Sequence, residues 1–136
     1  MEIIEGTEQL FIQDKKYVLD YLQKRNMNNE ALNKVISDYP FGLLDGAEFI
    51  IGSEEYAITH FLSKSETSGY DIESVNQSLN LIETPVVAFA MVAGDDVLCY
   101  DTQTSKLFLW LIQTQNGEKI EIEDTLSEFL DGVMNN

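Results

Sequence analysis

Side chains that could carry covalent chemistry are scarce in this 136-residue chain, which has one histidine, His60, and one cysteine, Cys99. With a carboxylate such as Asp101 they could form a nucleophilic triad, in which an imidazole activates a thiol. Their spacing does not support that arrangement. Cys99 lies between Leu98 and Tyr100 in an apolar segment, where a free cysteine usually behaves as a small apolar residue. We therefore predict no enzymatic activity.

Three carboxylates of the same region, Asp95, Asp96 and Asp101, could bind a divalent cation through their oxygens. A calcium loop, however, places oxygen ligands at every second position around a glycine, and that spacing is absent here. A catalytic zinc site needs several histidine or cysteine ligands, and the chain has one of each. We predict no metal and no other cofactor. Asp95 and Asp96 are interpreted as turn residues whose side chains cap local backbone amides.

The charge of the chain is strongly acidic and unevenly distributed. It has 24 acidic and 8 basic residues, a net charge of −16. Residues 1–68 contribute −6, whereas residues 69–136 contribute −10 and contain only two basic residues, Lys106 and Lys119. Such a chain repels phosphate, which argues against nucleic acid and anionic membrane as partners. It would attract and steer a basic protein. Acidity that serves only solubility is the alternative explanation.

Some residues of the second half are candidate contacts for such a partner. Trp110 and Tyr100 are interpreted as core or half-buried, with an aromatic anchor on a binding face as the alternative. A run of carboxylates from residue 118 to residue 124 has the composition of a solvated face. If a partner binds through charge, the candidate contacts are Asp95, Asp96, Tyr100, Asp101, Trp110, Glu118, Glu121 and Glu123.

Length and composition indicate one soluble domain that spans residues 1–136. A chain of this size can bury roughly two-thirds of its unfolded surface without disulfides or metal. A single cysteine fits a reducing compartment. The N-terminus shows no secretory signal, and the longest apolar run, 85–93, is too short to cross a bilayer. We expect a cytoplasmic protein.

Hydrophobic periodicity and turn residues predict an α+β fold. Helices are predicted at about 7–25, 29–38, 71–81 and from residue 124 or 125 onward, and strands at 43–51, 56–62, 86–92, 97–100, 106–113 and 119–123. Turns are predicted at Tyr39-Pro40-Phe41-Gly42, Asp45-Gly46, Gly52-Ser53, 63–69, Gly94-Asp95-Asp96 and Asn116-Gly117. The segment 86–92 is apolar on both faces, which is typical of a central strand. The second half is thus predicted to be an antiparallel meander, packed with N-terminal and C-terminal helices.

The second half also carries a recognisable series of motifs. They are Pro85 to Ala90, Gly94-Asp95, Cys99-Tyr100-Asp101, Lys106 to Trp110, and the closing segment Asp124-Thr125-Leu126-Ser127-Glu128-Phe129-Leu130. In this order, over residues 83–134, they resemble the SUKH superfamily, which includes the yeast cell-wall assembly regulator and many bacterial immunity proteins. The Leu-Pro-x-x-Tyr and Asn-Gly-Gly motifs found in the first half of many members are absent from this chain.

The resemblance implies a protein-binding domain. Bacterial members typically bind and neutralise a toxin, often a nuclease, that a neighbouring cell delivers. An acidic protein is suited to that task, because it can match the basic groove in which a nuclease holds phosphate. The expected function is that of an immunity protein with a basic partner. The alternative is a regulatory or scaffold interaction module of the same fold, with no toxin partner.

Overall fold

The computed structural model describes residues 5–39, 42–64 and 71–134. These residues form four helices, α1 (Glu5–Lys24), α2 (Glu30–Asp38), α3 (Ile72–Ser78) and α4 (Leu126–Met134), and six strands, β1 (Leu43–Ile51), β2 (Glu54–Phe61), β3 (Val86–Val92), β4 (Asp96–Asp101), β5 (Lys106–Leu111) and β6 (Glu118–Ile122). Pro40 and Phe41 of a predicted turn, and residues 65–69 of the predicted loop, lie outside the described residues. No helix within these ranges is both long and apolar enough to cross a membrane.

All six strands belong to one antiparallel sheet in which each strand pairs with its neighbours in sequence. The predicted α+β fold with a meander is therefore confirmed, and the meander extends to the two N-terminal strands as well. The turns after β1, β3 and β5 lie at the same end of the sheet, because successive strands of a meander alternate in direction. We call this end, formed by residues 52–55, 93–96 and 112–118, the hairpin end.

The two faces of the sheet differ in what covers them. On the inner face, Phe49 of β1 packs edge-on against Phe129 of α4, with 5.2 Å between the ring centroids. The strand registers place Ile58, Val92, Leu98 and Leu109 on this same face, and all of them are buried. The inner face and α4 therefore pack together in the hydrophobic core, which also contains buried residues of α1, α2 and α3.

The opposite face, which we call the outer face, is defined by three rows of paired residues. The rows are Val97, Trp110 and Lys119; Cys99, Phe108 and Glu121; and Asp101 with Lys106. Val97 and Cys99 on the central strand β4 are buried, whereas both residues of β6 are exposed and the two aromatic residues are half-buried. The outer face is thus apolar in its centre and open to solvent along β6.

Strand β3 coincides with the predicted central strand, and six of its seven residues are buried. Its partner β2 pairs with it only from Val92 to Ala90. Nearer the start of β3, the buried side chain of Asn76 in α3 takes the place of a strand. Its Nδ2 donates to the carbonyl of Ala88, and its Oδ1 accepts from the Ala88 N–H, each at 2.9 Å. The Arg25 guanidinium donates to the Val86 carbonyl at 2.8 Å.

Two predictions are wrong. One concerns a turn in the first half of the chain, and the other concerns the end of α3. Asp45-Gly46 lies inside β1 instead of in a turn. The register with β2 shifts between Leu43 and Ala47, where β1 contains two more residues than the paired part of β2. Helix α3 ends at Ser78, three residues before its predicted end. Asn80 has a positive φ of 59°, which ends the helical path.

The structure also decides which residue caps the last helix. The Thr125 hydroxyl accepts from the Glu128 N–H at 3.1 Å, and the Glu128 carboxylate accepts from the Thr125 N–H at 3.0 Å. This reciprocal pair is a capping box, so Thr125, and not Asp124, is the N-cap of α4. The hydrogen bond from the Thr125 backbone lowers the pKa of Glu128.

Candidate functional site

Cys99 and His60 are not arranged as a nucleophile and its base. In the strand ladders Cys99 lies opposite Ala88 and Phe108, whereas His60 lies opposite Met91. Cys99 is 0% exposed, and burial raises the pKa of its thiol to about 12. At neutral pH the thiol is therefore protonated, whereas a nucleophile requires the thiolate.

We expect Cys99 to resist labelling by a disulfide reagent such as Ellman's reagent in the native state. A rise of the thiol pKa from 9.0 to about 12 lowers the thiolate fraction at pH 8 by about a thousandfold. The labelling rate of the folded protein should keep rising with pH, without the levelling near pH 9 of an exposed thiol. In denaturant, Cys99 should react as fast as an exposed thiol. Fast labelling of the native protein with a plateau near pH 9 would contradict this placement.

The three aspartates considered for a metal site have separate roles. Asp101 accepts from the N–H groups of Gln103 and Thr104 at 2.9 and 3.2 Å, which stabilises the turn after β4. Asp96 starts the same strand, and Asp95 lies in the preceding turn. Within the described residues, no group of three His, Cys, Asp or Glu side chains is arranged to hold a metal ion.

Asp96 is a structural cap and not an exposed contact. It is 2% exposed. Its Oδ1 accepts from the Gln113 N–H at 2.8 Å, and its Oδ2 accepts from the Thr114 hydroxyl at 2.7 Å. The capped groups belong to the turn after β5, 17 and 18 residues away in sequence, so the interpretation of a local cap was correct about the role and wrong about the turn. We leave Asp96 out of any partner surface because it offers almost no area to a partner.

Except for Tyr100, the remaining candidate contacts lie in two places. Trp110, Asp101 and Glu121 lie on the outer face, and Glu123 directly follows β6. Asp95 and Glu118 lie at the hairpin end and are exposed. Tyr100 is separate from both groups. It pairs with Val87 and Leu107 on the helix-covered side of the sheet and is half-buried there.

The hairpin end gathers carboxylates from three different hairpins. Burial raises the pKa of Tyr56, and the charges of Glu54, Glu118 and Asp96 raise it further. The three carboxylates therefore lie close enough to Tyr56 to raise its pKa, although they are far apart in the sequence. Sequence reasoning missed Glu54 and Glu55 as members of this acidic end. Their position directly after the Gly52-Ser53 turn signal was visible. The tertiary structure that brings Glu54 and Glu118 near the same tyrosine was not, because β2 and β6 are not neighbours in the sheet.

The outer face carries an aromatic pair with a cation over it. The Trp110 indole N–H donates to the Gly117 carbonyl at 3.1 Å. The Lys119 ammonium lies 4.8 Å from the centroid of the Trp110 ring and 5.6 Å from that of Phe108, distances at which a cation is attracted to the ring face. Trp110 is half-buried, as expected. Phe108 was not among the predicted contacts, although its spacing from Trp110, two residues along a strand, could have indicated a shared face.

A separate open cleft of about 440 Å³ lies beside α3. Its lining combines carboxylate, amide and apolar side chains, from Glu73, Gln77, Asn80, Ile82 and Glu83. Among the described residues of this lining there is no histidine, cysteine or basic residue, so they offer neither a nucleophile with its base nor a cationic group for an anionic ligand.

Comparisons with protein-family models, with curated proteins and with solved structures find no match for this chain. The acidic hairpin end and the outer face with its aromatic pair are therefore the features on which a functional proposal can be built.

Proposed function

We propose that this protein is a protein-binding domain that recognises a basic partner, and specifically a SUKH-like immunity protein that binds and neutralises a basic toxin, such as a nuclease, in the cytoplasm. The observation that carries this proposal is the excess of acidic charge in the second half of the chain, together with the exposed carboxylates at the hairpin end. Residues 69–136 have a net charge of −10. Exposed carboxylates from separate hairpins, including Glu54, Asp95 and Glu118, converge on the hairpin end.

The recognition step follows from the chemistry of the two surfaces. A nuclease holds the phosphates of its substrate with lysine and arginine side chains. Carboxylates at the hairpin end would pair with the same side chains and so compete with the substrate. Long-range attraction would speed the encounter, while buried apolar and aromatic contacts would slow dissociation. Neutralisation would then need no catalysis by this protein.

The decisive experiment joins partner capture with a test of rescue. The protein is used as bait in lysate of its source cell, the bound protein is identified, and that protein is expressed in a heterologous host with and without this one. We expect a partner of high isoelectric point that arrests growth alone and is tolerated on co-expression. A specific partner that is harmless when expressed alone would favour the regulatory or scaffold module. A neutral or acidic partner would contradict recognition by charge.

We further expect the association rate with the captured partner to depend on salt and on the hairpin end. Charges are screened over about 10 Å at 0.1 M ionic strength, and electrostatic steering raises association rates by roughly 10- to 1000-fold. Reversal of two charges, Glu54→Lys with Glu118→Lys, should therefore slow association by about tenfold at low salt and much less at 0.5 M. Stopped-flow or surface-binding kinetics at several salt concentrations measure this.

The matched control is Glu30→Lys with Asp38→Lys, an equal charge change on exposed residues of α2. Its effect should be several times smaller, because Glu30 and Asp38 belong to α2 and not to the hairpin end. An association rate that is indifferent to salt and to both double variants would show that the acidity serves solubility alone.

A further inference from the structure

The Lys119 ammonium is held on the outer face by aromatic rings. It lies over both Trp110 and Phe108, and no described hydrogen bond or ion pair involves it. Lys119 lies on β6, which is the last strand of the sheet, and its side chain is exposed. Because an exposed lysine side chain is long and flexible, its ammonium can leave the rings at small cost.

We infer that Trp110 and Phe108 form a binding site for a single lysine or arginine side chain of the basic partner, and that Lys119 occupies this site only until the partner binds. The inference rests on the proposed function, because it names the point of contact for a partner that the charge attracts. The Lys119 contact itself demonstrates that the geometry of the two rings accepts a cation.

The Trp110 ring is held in place, as an anchor site requires. The hydrogen bond from the Trp110 indole to Gly117 fixes the plane of the ring. The acceptor belongs to a tight turn, in which Asn116 and Gly117 both have positive φ, 55° and 83°. Beside the rings, on the neighbouring strand β4, Val97 and Cys99 are buried and fill the centre of the outer face. A preorganised aromatic site loses little entropy when it binds a partner group.

The charges around the rings favour a guanidinium as the occupant. Glu121 lies directly opposite Phe108 in the register, and its carboxylate is 3.2 Å from the Lys106 ammonium. Both side chains are exposed, so this ion pair contributes little to stability and can rearrange. An arginine that stacks on the rings could pair with Glu121 at the same time, since its planar group combines stacking with hydrogen bonding to a carboxylate. A second copy of this chain is a poorer occupant, because two chains of charge −16 repel each other.

The intrinsic fluorescence of Trp110 reports on this site, because Trp110 is the single tryptophan of the chain. The probe is a synthetic peptide of nine arginines, titrated into the full-length protein and followed by calorimetry and by Trp110 emission, with nine lysines for comparison. We expect the emission change to saturate together with the heat of binding, and arginine to bind more tightly than lysine.

Two variants distinguish binding at the aromatic pair from attraction by the overall charge. Lys119→Gln should tighten binding of the arginine peptide by roughly two- to fivefold beyond the effect of the control, the equivalent of the 0.5–1 kcal/mol of an exposed cation–π contact. The control is Lys34→Gln, the same charge change on an exposed residue of α2. Phe108→Leu, with its fold checked by circular dichroism, should weaken binding by a similar factor.

The outcomes distinguish this inference from the proposed function. Calorimetric binding without a Trp110 response, together with equal effects of Lys119→Gln and Lys34→Gln, would overturn the site and leave recognition by charge intact. No binding of the arginine peptide at low salt would overturn recognition by charge as well. Trp110 emission that changes with protein concentration alone, with a dimer in light scattering, would assign the outer face to a second copy of the chain.

Discussion

Replacement of Phe89 by alanine should lower the free energy of unfolding by roughly 3–5 kcal/mol, the usual cost of emptying a buried aromatic site. Phe89 is 2% exposed in the middle of the central strand β3. Its ring stacks on that of Phe61, with 6.4 Å between the centroids. Phe89 lies at a register shift, and its neighbours Ala88 and Ala90 pair with Cys99 and Leu98 of β4, so the paired backbone limits the collapse of the surrounding residues into the cavity. Urea denaturation followed by circular dichroism measures the change.

The control for this prediction is Ile50→Ala on β1. Ile50 is also a large apolar residue in a strand, but it is 65% exposed, so its loss should change the stability by no more than about 0.5 kcal/mol. A loss below about 1 kcal/mol for Phe89→Ala would contradict the sheet order, because the ring would then have to be accessible to solvent.

Replacement of Asn76 by alanine should be nearly as damaging, although Asn76 is polar. The substitution leaves the N–H and the carbonyl of Ala88 without their partner in a buried position. Each unsatisfied buried group costs roughly 1–3 kcal/mol, so we expect a loss of about 2–5 kcal/mol in the free energy of unfolding. The same denaturation experiment measures it.

Gln77→Ala is the matched control, because Gln77 is the next residue of α3 and is exposed. Its substitution should have almost no effect on stability. Hydrogen exchange adds a local readout, since the Ala88 amide should lose protection in the Asn76 variant before the amides of β4 do. An Asn76 variant as stable as the wild type would mean that water or another group replaces the lost hydrogen bonds.

The acidic hairpin end and the aromatic pair adjoin each other, and this suggests how they would act together. Glu118 at the hairpin end precedes Lys119 directly in β6. A basic segment attracted by the carboxylates would therefore arrive next to the rings. In this proposal the carboxylates govern the rate of association and the rings govern the rate of dissociation, so variants of the two groups should change different kinetic constants.

The sequence alone determined most of the local structure. Strand β3 occupies the predicted residues, α2 begins within one residue of its predicted start, and Asn116-Gly117 lies in the predicted turn. Residues 119–123 alternate between charged and apolar side chains, which is typical of an edge strand, and β6 is the last strand of the sheet. These features depend on side-chain periodicity and on backbone preferences of a few adjacent residues, which a sequence displays directly.

Only the tertiary structure decided which residues share a surface. Asp96 is equivalent to Asp95 in the sequence, yet strand pairing buries it against the turn after β5. Asn76 is one of several polar residues in α3, yet it completes the hydrogen bonds of β3. The cation over the aromatic pair comes from a neighbouring strand, since Lys119 lies opposite Trp110 in the register. Such contacts depend on strand order and register, which are set by the packing of the whole core and not by any local pattern.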